Sequence, residues 1–318
     1  MKSSKTAAGI FLTLLSGIFW GFSGSCGQYL FTNHAVNSQW LVAVRILLSG
    51  VILLAFSAVK HKREVFTVMQ KKKNLIRLAA FTVFGLVMCQ YAYFRAIELS
   101  NAGTATVLQY LSPAMILVFL CIKNKKPPVL REAVAIILAI GGTFIIATGG
   151  NAGNLSISPE ALVWGLLAAV FLVCYSLIPV PLLEVADTSS VLGWGMTAGG
   201  IVLLPIFRPW ENMPQINFSF IAALIGVVFI GTVLAYSFFL KGIHLIGATK
   251  ASIISSIEPV AATVISAVWL GTDFSFTDII GFIMIISTIF IVSIKKEPKR
   301  GASVLCYLMP YCCSRERS

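Results

Sequence analysis

Apolar residues fall into ten long runs, at residues 8–30, 39–59, 75–96, 102–122, 132–148, 160–180, 190–207, 218–240, 247–270 and 277–294. Most reach about 20 residues, which as a helix crosses a hydrocarbon core about 30 Å thick. Only helices or closed barrels satisfy their backbone in lipid, and these runs are too long and too continuously apolar for alternating barrel strands. The pattern predicts an all-α integral membrane protein with ten transmembrane helices. Lys2 and Lys5 precede the first run as in a signal peptide. That run outlasts a typical signal core and no small-x-small cleavage site follows it, so it is read as helix 1.

Composition agrees. Of 318 residues, 58% are hydrophobic and 11% charged, with a mean hydropathy of +0.90. A soluble domain carries about 25% charged residues. The net charge of +12 would suit an acidic partner such as nucleic acid, so the positions of the cations decide its meaning. With the N-terminus in the cytoplasm, 21 of the 24 Lys and Arg fall on inner segments, with Arg95 and Arg208 outside and Arg45 within helix 2. The positive-inside rule therefore puts both termini in the cytoplasm of a bacterial-type inner or plasma membrane. The basic loops favour anionic lipid headgroups, and no motif for nucleic acid accompanies them. Cys26, Cys89, Cys121 and Cys174 lie in or beside apolar runs and Cys306, Cys312 and Cys313 in the tail, without zinc or disulfide spacing. No metal site, cofactor motif or nucleotide-binding loop is expected.

Shifting the chain by 146 positions aligns Ala102, Ala105, Val107, Leu111 and Pro113 with Ala248, Ala251, Ile253, Ile257 and Pro259. Gly85 then meets Gly231, Arg95 meets Lys241, and Glu132 meets Asp278. Helices 1 and 2 match helices 6 and 7 at offsets of 153 and 150, as in Phe22-Ser23 against Tyr175-Ser176. Five spans per half is an odd number, so the second half enters from the opposite face. The expected organisation is a first five-helix repeat over 1–148, an inverted one over 149–294, and a basic Cys-containing cytoplasmic tail over 295–318. Inverted halves give a route to alternating access.

Charge at mid-membrane is costly, about 2.5–3.5 kcal/mol on insertion scales, so each instance is a candidate. Glu258 lies in helix 9 beside Pro259, which frees the carbonyl four residues back. It reads either as a substrate counter-charge or proton site, or as a hydrogen-bonded packing residue. Ala251, Ser255, Glu258, Ala262 and Ser266 form a small, polar stripe that must face protein or water, echoed by Ala105, Gln109 and Ser112 in helix 4. Arg45, near the outer end of helix 2, reads as a side chain that snorkels to the interface or pairs with a buried acid. Trp20, Ser23, Gln90, Tyr93, Tyr110, Tyr175 and Tyr236 complete the candidate lining, with Arg45, Pro113 and Pro259 as structural or gating positions. Trp40, Trp194 and Trp210, near span ends, read as interface anchors.

The spans, the five-plus-five repeat, Trp20-Gly21-Phe22-Ser23, Arg45, Glu258-Pro259-Val260 and Leu270-Gly271 together resemble the EamA family of the drug/metabolite transporter superfamily over about residues 7–294. Two departures occur at helix ends: Thr272-Asp273 follows the Leu-Gly, and helix 4 ends in Cys121-Ile122-Lys123. The resemblance implies helices 1, 3, 4, 6, 8 and 9 around a central cavity, with export or exchange of a small metabolite such as an amino acid. Helix 1 has no acid of the kind small multidrug relatives use for proton coupling. A membrane-embedded enzyme would need converging nucleophiles or acid/base pairs, yet His34, His61 and His244 lie in loops or at helix ends. Efflux of amphipathic cations is the other alternative.

Overall fold

The computed structural model describes residues 2–125, 127–151, 155–246, 251 and 254–293. Within them the chain is helical and contains no strand. We label the rods α1 (Lys2–Asn33), α2 (Ser38–His61), α3 (Lys72–Leu99), α4 (Ala102–Lys123), α5 (Leu130–Thr148), α6 (Pro159–Leu183), α7 (Thr188–Phe207), α8 (Phe218–Ile246), α9 (Glu258–Leu270) and α10 (Phe276–Ser293). The first eight are long and apolar enough to cross a membrane, while α9 and the apolar part of α10 are shorter. The expected ninth span starts upstream of α9, but 247–250, 252 and 253 lie outside the described residues. So does 295–318, with Cys306, Cys312 and Cys313.

Helix starts follow local chemistry. Asn37, Asn101 and Asn217 accept hydrogen bonds from the backbone N–H of Trp40, Thr104 and Phe220, satisfying first-turn donors that a helix cannot satisfy itself. Glu132 and Asp278, matched by the 146 offset, both reach back to accept from the N–H three residues upstream, on Val129 and Ser275. Gly149 and Gly271 end α5 and α9 with φ of +61° and +64°, a conformation that glycine adopts without strain.

The backbone departs from α geometry at related places. α3 widens into a π-helix over Phe81–Val87 and α8 over Gly226–Leu234. α4 breaks at Tyr110 and Leu111, and two turn residues, Ser256 and Ile257, stand before α9. A proline follows each break by two residues, Pro113 and Pro259, and lacks the N–H that would continue the ladder. The 146 offset carries one break onto the other and nearly superposes the π segments.

Packing relies on close backbone approach. α2 lies on α7, where a Cβ at Gly200 would stand 2.6 Å from Leu47 Cα and one at Gly50 2.4 Å from the Thr197 nitrogen. α5 meets α10 at Gly142 and Gly281, each close to the other's carbonyl oxygen. Small residues bring helices together where lipid offers no hydrophobic drive for association. Outward faces are apolar, with Ile137, Ile140 and Phe144 of α5 and Ile201, Val202 and Ile206 of α7 all exposed, as lipid contact requires.

Side-chain contacts define the two ends of the bundle. Arg95 bridges Glu98 and Glu160, the Ser38 N–H donates to Glu98, and Ser219 meets His34 at one end. Ser57 meets Ser190, and the Trp194 indole donates to the Val65 carbonyl, at the other. Two of the three tryptophans expected as interface anchors are held by protein instead. Trp40 is 6% exposed and packs edge-on against Phe220, and Trp194 packs against Phe66, whereas Trp210 is exposed. Sequence shows only that a Trp is near a span end. It does not show which way the helix turns it.

Candidate functional site

A cavity of about 310 Å³ lies among α1, α2, α3, α4, α6, α7, α8, α9 and α10. It extends from mid-bundle to the end where Pro179, Leu183 and Thr188 lie. Each of the ten residues singled out for a substrate lines it: Trp20, Ser23, Gln90, Tyr93, Gln109, Tyr110, Tyr175, Tyr236, Ser255 and Glu258. Arg45 and Pro113 line it too, whereas Pro259 is buried behind it.

The break before α9 places Glu258 in the first helical turn, where the helix dipole favours an anion. Its Oε2 accepts a hydrogen bond of 2.9 Å from the Tyr110 hydroxyl. Tyr110 stands at the break in α4, so the two irregular points of the fold meet through this bond. Behind Glu258, Ala251, Ser255, Ala262 and Ser266 are buried. The glycines of α1 allow this contact: a Cβ at Gly17 would stand 2.6 Å from the Ser255 carbonyl oxygen, and one at Gly21 2.7 Å from the Ala262 nitrogen. The Ser255 carbonyl is the one Pro259 leaves without its helical donor.

Arg45 does not snorkel, and among the described residues it forms no ion pair with an acid. It is 5% exposed, donates to Gln90 Oε1 at 2.9 Å and to Thr232 Oγ1 at 3.4 Å, and lies 4.8 Å from the centre of the Phe94 ring. The amide, hydroxyl and aromatic face stabilise the cation without cancelling its charge. Arg45 Nε and the Thr188 hydroxyl, also in the lining, have no partner among the described residues. Gln90 and Tyr236 are related by the 146 offset and both face the cavity.

Aromatic groups form the remaining walls. The Tyr175 and Tyr236 hydroxyls share a 2.7 Å hydrogen bond, and Tyr93 bonds Thr106 at 2.9 Å. Trp20 stands edge-on to Tyr236 with ring centres 5.5 Å apart. Gln109 donates to the Cys89 sulfur at 3.6 Å. Cys89, Thr232 and Phe81 were not anticipated from sequence, because a lone Cys, Thr or Phe in an apolar helix carries no signal. Cys26, Cys89, Cys121 and Cys174 are free thiols, and the described residues contain no group of three or more His, Cys, Asp or Glu arranged to hold a metal.

A helical bundle whose spans enclose a cavity lined by a buried cation, a carboxylate and aromatic hydroxyls has an architecture suited to membrane transport. More narrowly, the chain belongs to the EamA-like transporter family, whose model matches residues 7–148 and 160–294. It is 36% identical over 299 residues to the protein named uncharacterized inner membrane transporter YicL of Salmonella typhimurium, covering 94% of this chain and 99% of that relative. It is 22% identical over 311 residues to the uncharacterized transporter YxxF of Bacillus subtilis, covering 95% of each. A solved crystal structure matches the fold with a TM-score of 0.57 at 19% identity, over 92% of this chain and 96% of that one.

Proposed function

We propose that the protein is a secondary transporter, an exporter or exchanger, of a small zwitterionic metabolite of amino-acid type, working by alternating access of two inverted five-helix halves. The carrying observation is that Arg45 and Glu258 line one cavity and are each held by neutral side chains, not by each other. Buried charge is tolerated when it is compensated, and a ligand with a carboxylate and an ammonium group compensates both. Arg45 receives the carboxylate, and Glu258 receives the ammonium group among the faces of Tyr93, Tyr110 and Tyr236. Membership of a transporter family supports a carrier over an enzyme.

The repeat supplies the movement. Paired π segments, paired proline breaks, paired helix-entry acids and a family model that matches two stretches support halves over 1–148 and 149–294, with ten spans in all. The cation distribution supports cytoplasmic termini, which makes the end holding Leu183 and Thr188 the inner one. The cavity then faces the cytoplasm, as required to load a substrate for export.

Uptake into proteoliposomes tests this, with neutral amino acids, polyamines and amphipathic cations offered with and without a pH gradient. The expected result is movement of zwitterions and competition among them. Movement of cations alone, or a Glu258→Gln variant that transports like the parent at every pH, overturns the reading.

A further inference from the structure

At the bundle end opposite the cavity mouth, one side chain joins three helices. Gln28 of α1 accepts a 2.8 Å hydrogen bond from the Ala102 N–H, in the first turn of α4. Its amide nitrogen donates at 2.9 Å to Thr272 Oγ1, just beyond the C-terminus of α9, and Ser266 Oγ of α9 donates at 3.2 Å to its oxygen. One turn before Gln28, Ser25 meets Ser266 at 3.3 Å. Trp269 of α9 is stacked against Phe22 and Tyr29 of α1 at centroid distances of 5.8 and 5.3 Å. Neither Gln28, Ala102, Thr272 nor Trp269 lines the cavity. From these contacts we infer that Gln28 is a latch, joining the start of α4 to the end of α9 through α1, and that it biases the resting protein toward the state closed at this end. The inference rests on the alternating-access reading.

Two arguments support it. A transporter made of equivalent halves has equivalent gates unless the sequences differ, and here they do. The offset of 153 carries Ser25 and Gln28 onto Ile178 and Pro181, and the offset of 146 carries Ser266 back onto Leu120. Three side chains of the cluster, Ser25, Gln28 and Ser266, therefore have apolar counterparts in the other half, while Thr272 maps onto Lys126 and so has no hydroxyl there. The latch is also reversible by its chemistry. The Ala102 N–H is a donor that α4 cannot satisfy internally, and water entering from this end can replace Gln28. Opening thus exchanges hydrogen bonds and strands no polar group, a condition for a gate that must cycle.

Hydrogen–deuterium exchange of the full-length protein in nanodiscs tests the bias. Gln28→Met keeps the length of the side chain and removes its hydrogen bonds. Losing bonds each worth roughly a factor of two to ten should shift the conformational ratio by about tenfold. The expected result is faster exchange in segments holding Ala102 and Thr272 and slower exchange in the segment from Pro179 to Thr188. Thr272→Val, which removes one bond with little change of shape, should give a smaller shift of the same sign and serves if the first variant does not fold. Unchanged exchange, or faster exchange at both ends alike, overturns the latch. Gln28→Cys combined with Thr272→Cys, bridged by a short bifunctional thiol reagent, separates the two readings, with the identically treated parent as control. Transport that stops on bridging and resumes on reduction supports alternating access whatever Gln28→Met shows. Transport that continues through the bridge overturns alternating access itself, and the latch with it.

Discussion

Glu258 reaches the cavity from a first helical turn and receives the Tyr110 hydroxyl at 2.9 Å, so the two residues should titrate substrate affinity together. A hydrogen bond to a charged group contributes about 1.5–3 kcal/mol. Tyr110→Phe removes that donor from the unliganded protein too, so it should lower stability by about 1.5–3 kcal/mol in an unfolding curve and raise the KM for a zwitterion in proteoliposome uptake. Arg45→Lys keeps the charge but cannot reach Gln90 and Thr232 in the same fork, so transport should fall although the cation remains. Uptake equal to the parent's would show that the guanidinium geometry does not matter. Glu258 and Arg45 were legible as candidates because charge within apolar runs is scarce, so their types alone marked them. The neighbours of Arg45 were not legible. Thr232 looks like any helix threonine until α8 turns it toward α2, and Gln28 is a single amide whose partners lie 74, 238 and 244 positions away.

At the scale of elements, apolar run length located the rods well because lipid thickness fixes helix length. It did not locate the irregularities inside them. No residue type announces the π segments over Phe81–Val87 and Gly226–Leu234, although Gly85 and Gly231 inside them had already been paired by the 146 offset. The proline breaks were readable, since Pro lacks the donor that continues a helix. Glycine placement gives a sharp test of how the elements meet. At Gly200 a Cβ would fall 2.6 Å from Leu47 Cα, a backbone atom that cannot yield without moving α2. At Gly271 a Cβ meets nothing within 4 Å, and only the left-handed φ of +64° opposes it. Gly200→Ala should destabilise by about 1–3 kcal/mol through overpacking and Gly271→Ala by about 1–2 kcal/mol through strain alone. In thermal unfolding in detergent, Gly200→Leu should then worsen the first loss steeply, while Gly271→Leu should barely exceed Gly271→Ala. Equal behaviour of the two sites would refute the packing of α2 on α7.

For the molecule as a whole, the proposed orientation rests on the surplus of cations, and orientation decides what the cavity means. Apolar helices alone are indifferent to which end faces the cytoplasm, and the contacts that define the two bundle ends are equally silent on the question. The asymmetry lies in Lys60, Lys62, Lys71, Lys72 and Lys73 in and around the α2–α3 connection, against Asp273 and Asp278 in and around the α9–α10 connection. Lys72 and Asp273 are both exposed, so each can be replaced without disturbing packing. A membrane-impermeant maleimide added to intact cells should modify Asp273→Cys and leave Lys72→Cys unmodified, and inside-out vesicles should reverse the pattern, with the parent correcting for native thiols. Modification of Lys72→Cys from outside would invert the whole molecule. The cavity would then open outward, the Gln28 latch would close the cytoplasmic end, and the same Arg45 and Glu258 would load their zwitterion for import.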